Sequence, residues 1–322
     1  MLPNFAYARP GSVQDALAQL SSSGARASAG GTDLLGCLRD GVFDAEKVVS
    51  LSNIEDLGGI RETPDRGLRI GAMTTVAEVA SNALVKQRYP ALAQAAGEVA
   101  SPQLRNQGTL GGNLCQRPRC WYFRADFDCA KKGGDQCYAV NGENHYHCIF
   151  GGSPCYIVHP SDTAPALVAL GATVKIAGQG GERTMRLEDF YILPEVDHEK
   201  ECVLEPGEIL TEVHLPPLGM NWRSSYRKVR ERGSWDFALA SVALAIHSER
   251  GRVRSARIVL GGVAPIPWRS KMAEDALTGQ PIDEERARRV AEAAVRNAEP
   301  LDHNGYKIPL VKGIVVESLL AL

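Results

Sequence analysis

The sequence predicts an α+β protein, and three observations carry that prediction. Short strand-like stretches of alternating residues recur through the first 216 positions, interleaved with capped helical stretches. Three further strand-like segments, 224–230, 237–248 and 256–264, follow one another with no helix between them, as an antiparallel set requires. A strongly amphipathic helix, 283–298, comes after them, with an acidic first turn that suits the helix dipole.

Taken in order, Ser12-Val13-Gln14-Asp15 has the spacing of a capping box and opens a helix. GARASAGGTDLL, 24–35, reads as a short strand entering a glycine turn, and 47–54 and 67–72 read as strands. Thr75-Val76-Ala77-Glu78 is a second capping box, and 91–100 continues helical. SPQLRNQGTLGGNL, 101–114, is expected to loop tightly around its glycines. Residues 115–155 show no sustained period, which is uncommon inside a compact domain unless something holds the segment. The segment 155–162 is expected to return to strand, 164–178 to be helix then strand, and 209–216 strand. PPLGMNW, 216–222, marks a boundary, ERGR at 249–252 a turn, and 306–322 a closing helix.

With 36 Lys+Arg against 38 Asp+Glu, the net charge of −2 argues against a nucleic-acid partner, whose affinity would rest on phosphate neutralisation. The longest apolar stretch, near 237–246, is too short to span a bilayer. The N-terminal residues lack a basic stretch leading into an apolar one, so a cytoplasmic chain is expected, or one exported to the periplasm only by riding on a partner. HExxH and GxSxG patterns are missing.

AGGTDLL, 29–35, and GTLGGNL, 108–114, share one logic. Adjacent glycines let backbone N–H groups converge into an anion-binding nest, and Thr32 and Thr109 can add hydroxyl donors. A pyrophosphate is the natural guest, although neither loop is a Rossmann or Walker A motif. Either loop alone could be an ordinary turn; together with His159-Pro160-Ser161-Asp162 they point to a dinucleotide.

The ordered set AGGTDLL, GTLGGNL, HPSD and PGEIL (206–210), followed by YRKVRERGSWDFALASVA (226–243), resembles the FAD-binding subunit of the xanthine oxidase, or molybdenum hydroxylase, family. The resemblance covers nearly the whole chain. It implies a vanillyl-alcohol-oxidase-type FAD-binding fold in two subdomains, residues 1–55 and 56–218. A C-terminal α/β domain of the CO-dehydrogenase flavoprotein type would then occupy 219–322. It also implies that Ala29, Gly30, Gly31, Thr32, Asp33 and Leu34 wrap the FAD pyrophosphate. Thr109, Gly112 and Asn113 would lie along the pyrophosphate and ribityl chain, with Ser161 and Asp162 adding polar contacts there. Ile209 would sit near the adenine, and Lys228 would approach the isoalloxazine ring, its alternative being a solvated strand position.

Six of the eight cysteines fall between Cys115 and Cys155. Disulfides do not persist in the cytosol as a rule. Structural zinc is the main rival, with His145, His147 or His159 as further ligands; it normally shows a close C-x2-4-C pair, and apart from Cys115-x4-Cys120 the cysteines of this segment are more widely spaced. QRPRCWYFR and the spaced cysteines after it resemble the subset of the family that carries a [4Fe-4S] cluster in such an insert, namely bacterial molybdenum aldehyde oxidoreductases and 4-hydroxybenzoyl-CoA reductase. That resemblance maps the ligands onto Cys120, Cys129, Cys137 and Cys155 and leaves Cys115 and Cys148 as buried thiols beside them. His145 and His147 are expected at the surface or in packing, and His159 to order the HPSD turn. Arg117, Arg119, Arg124, Lys131 and Lys132 would raise the potential of a cluster, form a solvated patch, or meet an acidic partner.

The resemblance therefore implies an oxidoreductase subunit with FAD and a [4Fe-4S] cluster as cofactors. Its partners would be a large molybdopterin subunit and a small [2Fe-2S] subunit, with an external acceptor taking the electrons from an aldehyde oxidation. The alternatives are a reductase-like subunit with inward electron flow, a self-sufficient vanillyl-alcohol-oxidase-type oxidase, and a non-catalytic metal-stabilised scaffold.

Overall fold

The computed structural model describes residues 2–322, whose strands form three sheets. The first is parallel, with Lys47–Ser50 between Ala6–Ala8 and Ala25–Ser28. The second is antiparallel and five-stranded, in the order Ile60–Glu62, Leu68–Gly71, Ile209–Leu215, Thr173–Gly178, Gly181–Arg186. The third, also antiparallel, runs Trp268–Arg269, Arg252–Gly261, Ala240–Glu249, Trp222–Val229.

Alternation decides how the third sheet is buried. In the strand Ala240–Glu249, Val242, Leu244 and Ile246 face a core shared with the helices Glu284–Ala294 and Lys307–Leu320. Ala243 and Ala245 face the opposite way, into a core built with the helices Pro90–Glu98 and Thr163–Ala169. The strand is therefore buried on both faces, and its small residues on one side let the helices approach.

Both expected capping sequences lie at helix starts, the second as a full box and the first as an N-cap alone. Ser12 accepts from the Asp15 N–H at the head of Val13–Leu20, and Thr75 and Glu78 bond reciprocally at the head of Val76–Ser81. The turn at 249–252 closes a hairpin, with Arg250 and Gly251 both at positive φ.

Two expectations are corrected. The segment 101–114 is not a loop but two short helices, Pro102–Gln107 and Leu110–Leu114. Ser101 caps the first, with Pro102 behind it, and Thr109 caps the second by accepting from the Gly112 N–H. The segment 155–162 is not a strand. Its backbone bonds singly to separate partners, Tyr156 O to Cys148 N and His159 N to Ala264 O, and Pro160 has no N–H for a ladder.

The insert, 115–155, holds one turn of helix, Trp121–Arg124, and a 3-10 turn, Ala130–Lys132. It is wedged against the C-terminal part of the chain. Ile149 and Phe150 join that core, and Asn304 donates to the carbonyls of His147 and Cys148 at 3.2 and 3.0 Å.

Candidate cofactor site

The glycine loop after the strand Ala25–Ser28 lies against the end of the helix Pro102–Gln107. Gln107 donates to the Gly30 carbonyl at 3.2 Å, and a Cβ at Gly30 would overlap the Gln107 carbonyl. Gly31 sits at φ +73°, a conformation side chains rarely tolerate. The loop borders a cavity of about 320 Å³ lined by Ala29, Gly30, Gly31, Thr32, Asp33 and Leu34. Thr109, Gly112, Ile209 and Leu210 line it as well. Arg26 and Arg117 line the same space, and both guanidinium groups face the Phe43 ring, at 4.7 and 5.9 Å from its centroid. Burial and the nearby Arg117 charge both lower the Arg26 pKa, so two cations share one pocket. A pyrophosphate answers that arrangement, because its charge would neutralise both.

A second cavity, about 340 Å³, opens between the HPSD turn, the insert and the strand Ala240–Glu249. His159, Ser161 and Asp162 line it from the turn, Arg119, Cys120, Trp121 and His147 from the insert, and Phe237 and Ser241 from the C-terminal part. The two cavities are tied together at Asn113. Its Oδ1 accepts from Ser161 Oγ and from Thr163 Oγ1, both at 2.6 Å, joining the helix Leu110–Leu114 to the HPSD turn. Gln116 lines the first cavity and Arg119 the second, so the start of the insert runs along both. Each cavity is at the small end of the range for ligand sites, and the pair suits a molecule with two bulky ends and an anionic middle.

Asp162 is buried beneath the second cavity. Lys228 Nζ donates to it at 2.8 Å and Tyr226 OH at 2.7 Å, while Lys228 also reaches the Glu98 carbonyl at 3.1 Å. Burial raises the Asp162 pKa, against the pull of Lys228 and Tyr226. His159 accepts from the Ser161 N–H and packs against Tyr191, so it orders the turn.

Four cysteines, Cys120, Cys129, Cys137 and Cys155, surround one small cavity of about 10 Å³, together with Lys131, Tyr138 and His147. No carboxylate lines it. Burial pushes the Cys120 thiol up to about 11 and the Cys155 thiol to about 12. Cys148 is fully buried, is pushed higher still by desolvation, and lies outside that cavity. Cys115 instead lines the cavity of the glycine loop and shares a thiol hydrogen bond with Cys202. Among the described residues, no three His, Cys, Asp or Glu side chains converge tightly enough to hold a single metal ion. A cubane cluster is larger than an ion and takes four thiolates, and the donor set has that composition.

The structure narrows two readings of the insert. Of the two expectations for His147, packing holds: the ring is buried, and its Nε2 lies 3.2 Å from Cys120 Sγ. The basic residues are not a solvated patch: Arg119 and Arg124 pair with Asp33, and Arg117 and Lys131 with Glu201. They staple the insert to the glycine loop and to the segment before Cys202.

Of the residues expected to hold the dinucleotide, Ala29 to Leu34, Thr109, Gly112 and Ile209 line the first cavity, and Ser161 and Asp162 line the second. Asn113 and Lys228 line neither and act on the site through Ser161 and Asp162. Lys228 is not a solvated strand residue, its side chain being inaccessible. Sequence reading missed Arg26 and Phe43, whose partners are distant in the chain, and no local pattern marks them.

By sequence similarity this site lies in a flavin subunit of the molybdenum hydroxylases. The chain belongs to that family: the FAD-binding domain of molybdopterin dehydrogenases matches residues 3–218, and the CO dehydrogenase flavoprotein C-terminal domain matches 224–322. It is 37% identical to the aldehyde oxidoreductase FAD-binding subunit PaoB of Escherichia coli (strain K12), over 96% of this chain and 95% of that one. It is 28% identical to the carbon monoxide dehydrogenase medium chain of Hydrogenophaga pseudoflava, over 93% of this chain and 89% of that one. Among solved structures, carbon monoxide dehydrogenase from Hydrogenophaga pseudoflava superposes with a TM-score of 0.79 at 28% identity, covering 100% of this chain and 98% of that one. Quinoline 2-oxidoreductase from Pseudomonas putida 86 gives 0.77 at 27%, covering 100% and 97%. The protein is thus an FAD-binding oxidoreductase subunit of α+β fold. No helix among the described residues is long and apolar enough to cross a membrane.

Proposed function

We propose that this chain is the FAD- and [4Fe-4S]-carrying electron-transfer subunit of a molybdenum-dependent aldehyde oxidoreductase. Its partners are a molybdopterin large subunit and a [2Fe-2S] small subunit, and its electrons go to an external acceptor. The observation that carries the reading is the shared wall: Cys120 and His147 line both the second cofactor cavity and the four-cysteine cavity. The similarity to the aldehyde oxidoreductase subunit of Escherichia coli supports the substrate class. The working domain division is 1–55, 56–218 with insert 115–155, and 219–322, and each part contains one of the three sheets.

When bound, FAD supplies a centre that takes up and gives out electrons singly or in pairs. Around it this chain's residues bind, orient and exclude water. The glycine loop 29–34 approaches the pyrophosphate by its backbone, while Arg26 and Arg117 neutralise it. Thr109 and Gly112 support the same stretch, and Asn113 orients Ser161. Ile209 offers apolar contact at the adenine end. Asp162 holds the floor of the flavin half, fixed by Lys228 and Tyr226. Cys120, Cys129, Cys137 and Cys155 ligate the cluster. Burial raises the thiol pKa of Cys120 and of Cys155, so binding iron there would release protons from buried sulfur.

The test is analysis of the complex purified anaerobically with its natural partners. One FAD per chain, and four irons with matching acid-labile sulfide beyond the small subunit's clusters, are expected. FAD with zinc in place of the extra iron would make the insert a structural knot. Absence of FAD would sink the assignment.

A further inference from the structure

The wall between the flavin cavity and the cysteine cavity contains a polar group that the proposed cofactors do not explain. His147 is 4% exposed, and its ring is held between Trp121 at 5.5 Å and Tyr122 at 6.1 Å, centroid to centroid. Its main chain is fixed on both sides, the N–H donating to Asn144 O at 2.8 Å and the carbonyl accepting from Asn304. Nε2 lies 3.2 Å from Cys120 Sγ, while Nδ1 has no partner among the described residues. Two rings and two backbone bonds thus aim one nitrogen at one cysteine sulfur.

A thiolate that ligates iron carries no proton, so in that state the hydrogen bond has one direction: Nε2–H donates and sulfur accepts. We propose that His147 is a positioning residue that holds Cys120 on the cluster and raises the cluster's reduction potential through this hydrogen bond. The proposal rests on the four-cysteine reading above and goes beyond it, because it assigns a role to a residue that is not a ligand. The physical basis is charge. Reduction adds an electron to a centre already negative, and a donor at a ligand sulfur stabilises the more negative state. Of the four sulfurs, Cys120 is the one that also faces the flavin cavity, so its electron density matters most for exchange between the two centres.

The experiment compares His147→Leu and His147→Gln with the wild type in the assembled complex, by redox titration of the reduced-cluster electron paramagnetic resonance signal. Leu removes the donor; Gln places an amide N–H at similar reach. The expected result is a cluster at least tenfold harder to reduce in the Leu variant, a fall of about 59 mV for one electron. Gln should restore most of that fall, with FAD and iron content unchanged in both. A Leu variant that keeps its cluster at the wild-type potential overturns the proposal. If the Leu variant does not retain iron, the wild-type reduced cluster decides. Hyperfine coupling to isotope-labelled histidine nitrogen is expected there, and its absence overturns the proposal. A wild-type complex with no iron beyond the small subunit's clusters would remove the underlying reading itself, a failure distinct from an unchanged potential.

Discussion

The Asp33 carboxylate accepts from the Arg124 guanidinium at 2.8 Å, which ties the glycine loop of the cofactor cradle directly to the cysteine insert. The same carboxylate accepts from the Arg117 N–H at 2.7 Å and pairs with Arg119. A residue expected to wrap the pyrophosphate thus spends its side chain on architecture. Its backbone remains on the cavity.

Asp33→Asn should therefore loosen the insert before it touches FAD chemistry. Burial alone would raise the Asp33 pKa, but Arg119, Arg124 and the Arg117 N–H outweigh it and hold the carboxyl below its ordinary range. The folded pKa is lower than the unfolded one. The contribution to stability is then fully present above about pH 4, the ordinary aspartate value, and is lost as pH falls through the folded pKa. Loss of a charge-assisted bond at this site costs about 2 kcal/mol. Hydrogen exchange across 115–130 at neutral pH should rise in Asp33→Asn, and the wild type should show the same rise on acidification. Equal protection in both proteins at neutral pH would refute the tie.

Arg26→Ala should weaken FAD without unfolding the chain. Arg26 shares its pocket with Arg117, and removing one cation from a pyrophosphate contact costs about 2 kcal/mol. That corresponds to about thirtyfold in affinity. The measurement is FAD rebinding to the deflavinated complex, followed by flavin fluorescence. Without FAD the variant should be as stable as the wild type or slightly more so, since the repulsion from Arg117 is gone.

How legible the site was depended on how far each signal reaches along the chain. Thr75-Glu78 and Ser12-Asp15 could be read because a cap is complete within four residues. The helix Leu110–Leu114 was missed although Thr109 caps it in the same way, because two glycines argued for a loop. What overrides that propensity is long-range: Gly111 N–H donates to Ala72 O, and Leu110 N–H to Thr74 O. The glycine cradle itself was readable, since its glycines are adjacent in sequence. Arg26, Phe43 and the pairing of the insert's arginines with Asp33 and Glu201 depend on partners tens of residues away, which no window reveals.

The cysteines divide in the same spirit, and the division can be tested. Cys129→Ser should degrade or remove the proposed cluster, since an alkoxide suits a soft iron site poorly. Cys148→Ser should leave iron near the wild-type level, because Cys148 lies outside the cavity that Cys120, Cys129, Cys137 and Cys155 line. Iron and acid-labile sulfide per chain decide between them. Equal losses would show that the ligand set is wrong.

The buried pair under the second cavity invites a double-mutant cycle. Lys228 and Asp162 are 2.8 Å apart, with side chains 0% and 5% exposed. Lys228→Met strands a buried carboxylate and should cost about 3–5 kcal/mol. Asp162→Asn strands a buried ammonium, relieved in part by the Glu98 carbonyl that Lys228 also reaches, and should cost less. The double variant should be more stable than Lys228→Met alone, because each single change leaves a charge that the other removes. The lone carboxylate of Lys228→Met should also protonate in the folded chain. Its folded pKa would then exceed the unfolded value, and that variant should gain relative stability as pH falls from 7 to 5. Denaturant midpoints at the two pH values measure both effects. Strict additivity of the two substitutions would mean that the ion pair contributes nothing to the floor of the site.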